Sequence, residues 1–192
     1  MDRNVKRFED CIAEREDLLR SLDGCAPSVQ AAVAAIARAI EKGGRVFFFG
    51  NGGSAAQAQH LAAELCGRFV RERRAYGGIA LTVDTSALTA IANDYGFEQV
   101  FARQLEGLAQ PGDVAVALTT SGDSPNVING LRTARAKGAV GVAITGARGG
   151  AVVEHADIVI RGPNGPSWKV QEGHLAIGHI LCELIETTLA AP

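Results

Sequence analysis

The sequence has few of the features that mark extracellular, membrane-embedded or nucleic-acid-binding proteins. Its four cysteines lack the paired spacing of zinc sites or disulfide frameworks. No apolar run approaches the roughly 20 residues that a membrane-spanning helix needs. The net charge of -2 provides no excess of positive charge for nucleic acid or an anionic membrane. We therefore expect a cytoplasmic protein with reduced thiols.

Positive charge is concentrated in one short segment, residues 68–74. It contains four arginines but also Glu72. We interpret it as a solvated helix end, and a site for an anionic substrate is the alternative.

The organising stretch of the chain lies at residues 45–64, RVFFFGNGGSAAQAQHLAAE. A short apolar run typical of a strand buried on both faces leads into a glycine turn and then a helical pattern. Glycines permit a sharp turn, and Ser54 is expected to cap the helix, so that outward-pointing amides can hold an anion. Gln57, His60 and Glu64 are spaced three and four apart and share one helix face.

The rest of the chain alternates strands with helices. Helices are predicted at 4–22, 28–42 (capped by Ser28), 55–71, 98–108, 125–137 and 168–189, with a loop and short helix at 84–93 and a polar turn at 93–97. Further strands are predicted at 79–82, 114–118, 140–144 and 158–160. Connections of this length predict a parallel sheet with helices on both faces and ligands at the carboxyl ends of its strands. The first two helices precede the sheet, so we expect them on the flank of the domain or on a neighbouring subunit.

A second turn, TTSGDS, offers four hydroxyls near a helix N-terminus: those of Thr119, Thr120, Ser121 and Ser124. Hydroxyls and amides in this arrangement suit a phosphomonoester, although a hydroxyl-rich cap that binds only water has the same pattern. Paired with GNGGS, the turn favours a phosphosugar site. A dinucleotide site is disfavoured because Asp84 lies too far from Gly50 to be the usual ribose-binding acid.

Two helices carry polar residues that suit a metal. His60 and Glu64 lie on one, and Gln171, Glu172, His174 and His179 lie on the other. An isolated His-x-x-x-Glu is more often a hydrogen-bonded surface pair, and spacing does not choose between His174 and His179. Nitrogen and oxygen ligands of this kind would suit zinc.

Taken together, these motifs resemble the SIS (sugar isomerase) superfamily, and within it the phosphoheptose (sedoheptulose 7-phosphate) isomerase family. The segments that carry the resemblance are GNGGSAAQAQHLAAEL, LTAIANDYGFEQVFARQL, PGDV, TSGDSPNVI, TGARGG and QEGH followed by GHI. The resemblance implies a three-layer α/β SIS fold with a five-stranded parallel sheet flanked by helices. It implies a single SIS domain over 1–192, with N-terminal helices at 1–42 used in oligomerisation and a parallel α/β core at 43–192.

The resemblance also implies an aldose-ketose isomerase that converts sedoheptulose 7-phosphate to D-glycero-D-manno-heptose 7-phosphate for bacterial lipopolysaccharide or surface-glycan heptose. The implied zinc ligands are His60, Glu64, Gln171 and His179. Moving a carbonyl between C1 and C2 needs a base and an acid, and our hypothesis is that Glu64 is the catalytic base and His179 the acid. Implied substrate contacts come from Asn51, Gly52, Gly53, Ser54, Asn93, Asp94, Thr119, Thr120, Ser121, Ser124 and Gln171. The implied assembly is a homotetramer whose sites take residues from more than one subunit, with no nucleic acid or membrane partner.

Three other functions compete with this interpretation. A non-catalytic SIS tetramer that binds the replication initiator protein is disfavoured because Glu64 and His179 are both present. A sugar-phosphate-sensing transcriptional regulator is disfavoured by the charge and by the lack of a preceding helix-turn-helix pattern. An isomerase of another phosphosugar remains the closest competitor. Thr119, Asp123, Trp168 and Lys169 depart from the family pattern, and Asp123 adds negative charge near the expected phosphate.

Overall fold

The computed structural model describes residues 3–190 and is built around five parallel strands. These are β1 (Arg45–Gly50), β2 (Gly77–Ala80), β3 (Val114–Thr119), β4 (Val140–Thr145) and β5 (Ile158–Arg161). They lie in the order β2-β1-β3-β4-β5, and every neighbouring pair is parallel. The prediction of a five-stranded parallel sheet is confirmed.

Seven helices precede, connect or follow the described strands. They are α1 (Arg3–Arg20), α2 (Ala26–Glu41), α3 (Gly53–Cys66), α4 (Thr85–Tyr95), α5 (Val100–Leu108), α6 (Pro125–Ala136) and α7 (Ser167–Leu189). Short 3-10 turns lie at Ser21–Cys25, Phe97–Gln99 and Ala151–Glu154. Within residues 3–190, no helix is long and apolar enough to cross a membrane.

The sheet is buried on both faces, which gives three layers. Phe48 points into a cluster formed with apolar residues of α2, α3 and α7. Its neighbours Phe47 and Phe49 point the other way, into a cluster formed with α5 and α6. Side chains alternate along a strand, so a continuous apolar run such as VFFF fills two cores at once.

The two N-terminal helices differ in their packing. Val29, Ile36 and Ile40 of α2 are buried in the same cluster as Phe48, so α2 covers the sheet and the prediction that it lies on the flank or on another subunit is wrong. A helix that precedes the strands in sequence can still pack on them, because the apolar stripe of α2 needs a partner surface. In contrast, α1 leaves Val5, Phe8, Ile12 and Leu19 exposed.

Two helix starts lie earlier than predicted, because the chain turns at residues other than serine. Gly52 adopts φ 56°, so α3 begins at Gly53 and Ser54 is buried in its first turn without a capping bond. Helix α2 begins at Ala26, where Pro27 fits the first turn because its missing N–H needs no partner. Ser28 lies inside that turn, and its hydroxyl donates to the Cys25 carbonyl.

Other boundaries also differ from the predictions. Helix α3 ends at Cys66 before Gly67, five residues short of the predicted end at 71. The strand predicted at 79–82 is displaced to Gly77–Ala80, in register with Arg45–Phe48 of β1. The predicted turn at 93–97 is partly helical. Helix α4, which Asp84 caps through the Ala87 amide, continues to Tyr95 and ends where Gly96 adopts φ 89°.

Candidate active site

A polar pocket of about 270 Å³ lies where β1 and β3 end side by side. Strand order reverses between these two strands, which is where parallel α/β sheets bind ligands. Apart from Leu118, the pocket lining consists of small, hydroxylic and amide residues: Asn51, Gly52, Gly53, Ser54, Thr119, Thr120, Ser121, Ser124, Ser167 and Gln171. The structure therefore brings nine of the eleven predicted substrate-binding residues together.

Both turns of the pocket lead directly into helices. GNGGS opens α3 and TTSGDS opens α6, so two helix N-termini lie at the same site. The partial positive charge of each N-terminus favours an anion there. Within the described chain, no pocket-lining residue carries a formal charge, so amides and hydroxyls would be the groups that hold a phosphate.

The hydroxyls of the second turn have different surroundings. The Thr119 oxygen accepts a bond from the Gly122 amide and the Ser121 oxygen accepts one from the Asp123 amide, which shapes the turn. The Thr120 hydroxyl lies 3.4 Å from that of Ser167. Ser124 precedes α6 as predicted, but its side chain makes no capping bond and lines the pocket instead.

A pair of asparagines joins the two turns. Asn51 and Asn126 exchange two side-chain hydrogen bonds, each 2.8 Å long, and Asn126 is only 2% exposed. The reciprocal bonds hold the α3 turn against the start of α6. Asn126 was not singled out from the sequence, and its position two residues after the predicted cap was the only signal.

Asp123 does not direct its charge into the pocket. Its carboxylate accepts a 2.8 Å bond from the Ala151 amide, at the start of the short turn Ala151–Glu154. The charge that departs from the family pattern is therefore used to bind a neighbouring loop.

His60, Glu64 and His179 form a cluster on α3 and α7, the two helices that also contribute residues to the pocket. The Nε2 atoms of His60 and His179 lie 2.8 Å apart, and His60 Nε2 lies 3.4 Å from Glu64 Oε1. One ligand atom from each of the three residues lies within 4.8 Å of the other two, so the group could hold a metal ion. The structure also resolves the choice between the two histidines of α7, because His174 is fully buried and does not belong to the cluster.

The donor set fits zinc in both type and spacing. Zn–N bonds of about 2.0–2.1 Å in a tetrahedral site place two ligand nitrogens about 3.3 Å apart. The observed spacings of 2.8 Å and 3.4 Å lie on either side of that value. Two imidazoles and a carboxylate leave a fourth position for a further ligand.

A hydrogen bond between Gln57 and Gln171 joins α3 and α7, the helices that carry the cluster. The Gln57 amide on α3 donates a 2.6 Å bond to the Gln171 carbonyl on α7. The Gln171 side chain lies against Gly53, where an added Cβ would be 2.6 Å from both of its terminal atoms. Gln171 thus faces the pocket from α7, the helix that also carries His179.

Several predicted residues lie elsewhere. Asn93 and Asp94 are exposed at the end of α4, bonded to each other at 2.8 Å, and neither lines the pocket. Glu172 forms an ion pair with Arg15 at 2.9 Å. Ser167 lines the pocket but was missed, although its position one turn before Gln171 on the same helix indicates it.

The basic segment at residues 68–74 is not uniformly solvated. Arg68 is exposed as interpreted, and it lies 3.8 Å from Glu72. The Arg73 side chain is only 9% exposed and paired with Glu186, so the interpretation of a solvated helix end is wrong for this residue.

Comparisons with known proteins identify the class to which this fold and site belong. The family model described as "SIS domain" matches residues 12–146. Phosphoheptose isomerase from Rhodospirillum rubrum is 47% identical over 191 residues, covering 100% of both chains.

Solved structures give the same result. Phosphoheptose isomerase GmhA from Neisseria gonorrhoeae superposes with a TM-score of 0.82 at 35% identity, over 95% of this chain and 97% of that one. A phosphoheptose isomerase from Francisella tularensis gives 0.86 at 34% identity, over 94% and 98%. This chain belongs to the phosphoheptose isomerases of the SIS domain family.

Proposed function

We propose that the protein is an aldose-ketose isomerase that converts sedoheptulose 7-phosphate to D-glycero-D-manno-heptose 7-phosphate in bacterial heptose biosynthesis. The observation that carries the proposal is that an anion pocket and a His-Glu-His cluster share helices α3 and α7. A phosphate held at the pocket would leave the other end of the sugar to reach the cluster. The presence of both Glu64 and His179 in the cluster favours turnover over a non-catalytic role.

The reaction moves a carbonyl between C2 and C1. A base removes a proton from C1 of the ketose, an enediolate forms across C1 and C2, and a proton is returned to C2. Over the same cycle a proton leaves O1 and one is added to O2. Each step needs a base beside the carbons and an acid beside the oxygens.

Glu64 is the proposed base and His179 the proposed acid. The Glu64 side chain is partly exposed, so a substrate can reach it. His179 accepts or donates through Nε2, the atom that lies 2.8 Å from His60. The contact between the two rings holds His179 in place.

We further propose zinc as the cofactor, one ion per subunit, held by His60, Glu64, His179 and Gln171. The donor types and spacings of the first three support this, and Gln171 lies on α7 with its carboxamide against Gly53. When bound, zinc would polarise the substrate carbonyl and stabilise the negative charge of the enediolate. A carboxylate that binds zinc is a weaker base, and an imidazole nitrogen that binds zinc has no proton to donate. Glu64 and His179 must therefore be free of the metal when they transfer protons.

The proposal also covers the oligomeric state of the protein and its cellular compartment. The exposed apolar stripe of α1 supports oligomerisation of a single SIS domain through this helix, with a homotetramer as the proposed state. Asn93 and Asp94 would then contact substrate in a site shared between subunits, since neither lines the pocket of its own chain. We propose a cytoplasmic enzyme.

A substrate panel tests the function. Purified protein is incubated with sedoheptulose 7-phosphate, fructose 6-phosphate and ribulose 5-phosphate, and the aldose product is quantified. The expected result is the highest kcat/KM with the seven-carbon ketose, loss of activity with a chelator and recovery on addition of zinc. Higher kcat/KM with a shorter ketose would assign the enzyme to another phosphosugar, and activity that survives the chelator would refute the role of the metal.

A further inference from the structure

Arg73 is a half-buried residue, with a side chain 9% exposed, that binds the end of the helix carrying His60 and Glu64. Its guanidinium group donates 2.7 Å and 3.0 Å bonds to the carbonyls of Glu64 and Leu65 in the last turn of α3. A third bond, 2.9 Å long, reaches the Gly67 carbonyl just after the helix. The last carbonyls of a helix have no partner within it, so Arg73 satisfies them and fixes where α3 ends.

Glu186 is the partner of Arg73 on the helix that carries His179. Its carboxylate is 2% exposed and accepts a 2.9 Å bond from Arg73 Nε. It also accepts bonds of 2.8–3.0 Å from the backbone amides of Phe69, Val70 and Arg71. Glu186 lies seven residues, about two turns, after His179 and therefore on the same face of α7.

The Arg73–Glu186 pair thus joins α3 and α7 on the side of the cluster away from the pocket. On the pocket side, the bond between Gln57 and the Gln171 carbonyl joins the same helices. The cluster therefore lies between two cross-links. Since the 2.8 Å separation of the two histidine nitrogens spans these helices, any change in helix spacing changes that distance directly.

The same pair also holds a ring against His179. Glu186 binds the Phe69 amide, and the Phe69 ring centre lies 5.5 Å from that of His179. The segment that follows α3 is anchored to α7 through its backbone, so Phe69 and His179 move together.

We propose that Arg73 and Glu186 are positioning residues that set the spacing of α3 and α7, and with it the metal affinity and turnover of the His60–Glu64–His179 cluster. The turnover part of this inference rests on the proposed isomerase function, whereas the metal-affinity part does not. Neither side chain belongs to the cluster or lines the pocket. Their effect is therefore on the cluster and not on phosphate binding.

Two variants test the inference on the full-length protein. Glu186→Gln removes the negative charge and places a side-chain NH2 group next to the backbone amides and the Arg73 guanidinium, which are themselves donors. Arg73→Lys keeps a positive charge near Glu186 but loses the planar group that reaches several carbonyls at once. The measurements are zinc affinity by competition with a chromophoric chelator, kcat and KM for sedoheptulose 7-phosphate, and affinity for inorganic phosphate.

The expected result is a loss of zinc affinity of about tenfold or more, as is typical when a group that orients metal ligands is changed. We expect kcat to fall by a similar factor while affinity for inorganic phosphate stays unchanged. A merely structural role would instead lower the melting temperature and leave the folded fraction with normal zinc affinity and kcat.

Asp113→Asn is the matched control. Asp113 is another buried carboxylate, 3% exposed, that accepts bonds from the amides of Arg45 and Gln110 at the opposite, amino-terminal end of the strands. This variant should lose stability but keep zinc affinity and kcat.

The outcomes separate the two proposals. If the wild type turns over and both variants keep its zinc affinity and kcat, the inference is overturned and the proposed function stands. A wild-type protein that binds zinc without isomerising the sugar refutes the proposed function, and the zinc affinities of the variants still decide the inference. A wild-type protein that neither binds zinc nor turns over refutes both.

Discussion

Gly53→Ala should damage the active site without weakening the fold. Gly53 opens α3, and a Cβ there would lie 2.6 Å from both terminal atoms of the Gln171 side chain. An ordinary contact begins near 3.4 Å, so the carboxamide must move by roughly 1 Å. A displacement of this size at a positioned group costs up to about 100-fold in rate.

The fold should tolerate the change, because Gly53 has no positive φ that an alanine would strain. Alanine is favoured over glycine in a helix by about 1 kcal/mol. We therefore expect kcat/KM for sedoheptulose 7-phosphate to fall by about 100-fold, while the melting temperature stays level or rises. Gly107→Ala is the control, since a Cβ there meets nothing within 4 Å in α5, and it should keep full activity.

A double-mutant cycle identifies the cause. If displacement of Gln171 is responsible, Gly53→Ala should add little further loss in a Gln171→Ala background, because contacting residues are not additive. Full additivity would show that the new methyl group acts on the phosphate instead. Wild-type kcat/KM in Gly53→Ala itself would refute the placement of Gln171 in the site.

Three further predictions concern stability. Gly122→Ala should unfold at markedly lower urea concentration, because Gly122 has φ 79° and a Cβ there would collide with the Gly149 carbonyl oxygen; an unchanged midpoint would contradict the described packing of these loops. Asn126→Leu should lose about 1–3 kcal/mol in urea unfolding by leaving Asn51 without its partner, and inorganic phosphate should bind more weakly. Burial lowers the pKa of His174 from 6.5 to about 4, so as the pH falls the unfolded chain takes up this proton before the folded chain does. The free energy of unfolding should therefore fall by about 3 kcal/mol between pH 6.5 and pH 4. If the pH dependence of the unfolding free energy is as steep in His174→Gln as in the wild type, the prediction is wrong.

Apolar patterning and turn residues were sufficient to predict the sheet. The run VFFF indicates a strand buried on both sides, and Pro125 correctly marks the start of α6. The errors arose where local signals competed. Ser54 is a good capping residue, but the positive φ of Gly52 turns the chain earlier and places the serine inside the helix.

The candidate site was predictable where its residues follow strands or share a helix face. His60 and Glu64 satisfy helical spacing, and the two glycine- and serine-containing turns follow adjacent strands. Spacing along α7 made His174 and His179 equally good candidate metal ligands. The burial of His174, which only the structure shows, distinguishes them. Arg73 and Glu186 were missed because they are 113 residues apart and their pairing depends on how α3 and α7 pack.

The most direct test of the central claim is proton exchange during turnover. Sedoheptulose 7-phosphate is incubated in deuterated water with the wild-type protein and with Glu64→Gln, and the aldose 7-phosphate is followed by proton NMR. Proton transfer by Glu64 predicts an aldose that carries deuterium at C2 with the wild type, and no aldose with a variant that keeps its fold and oligomeric state. Normal turnover by Glu64→Gln would contradict the assignment of the base.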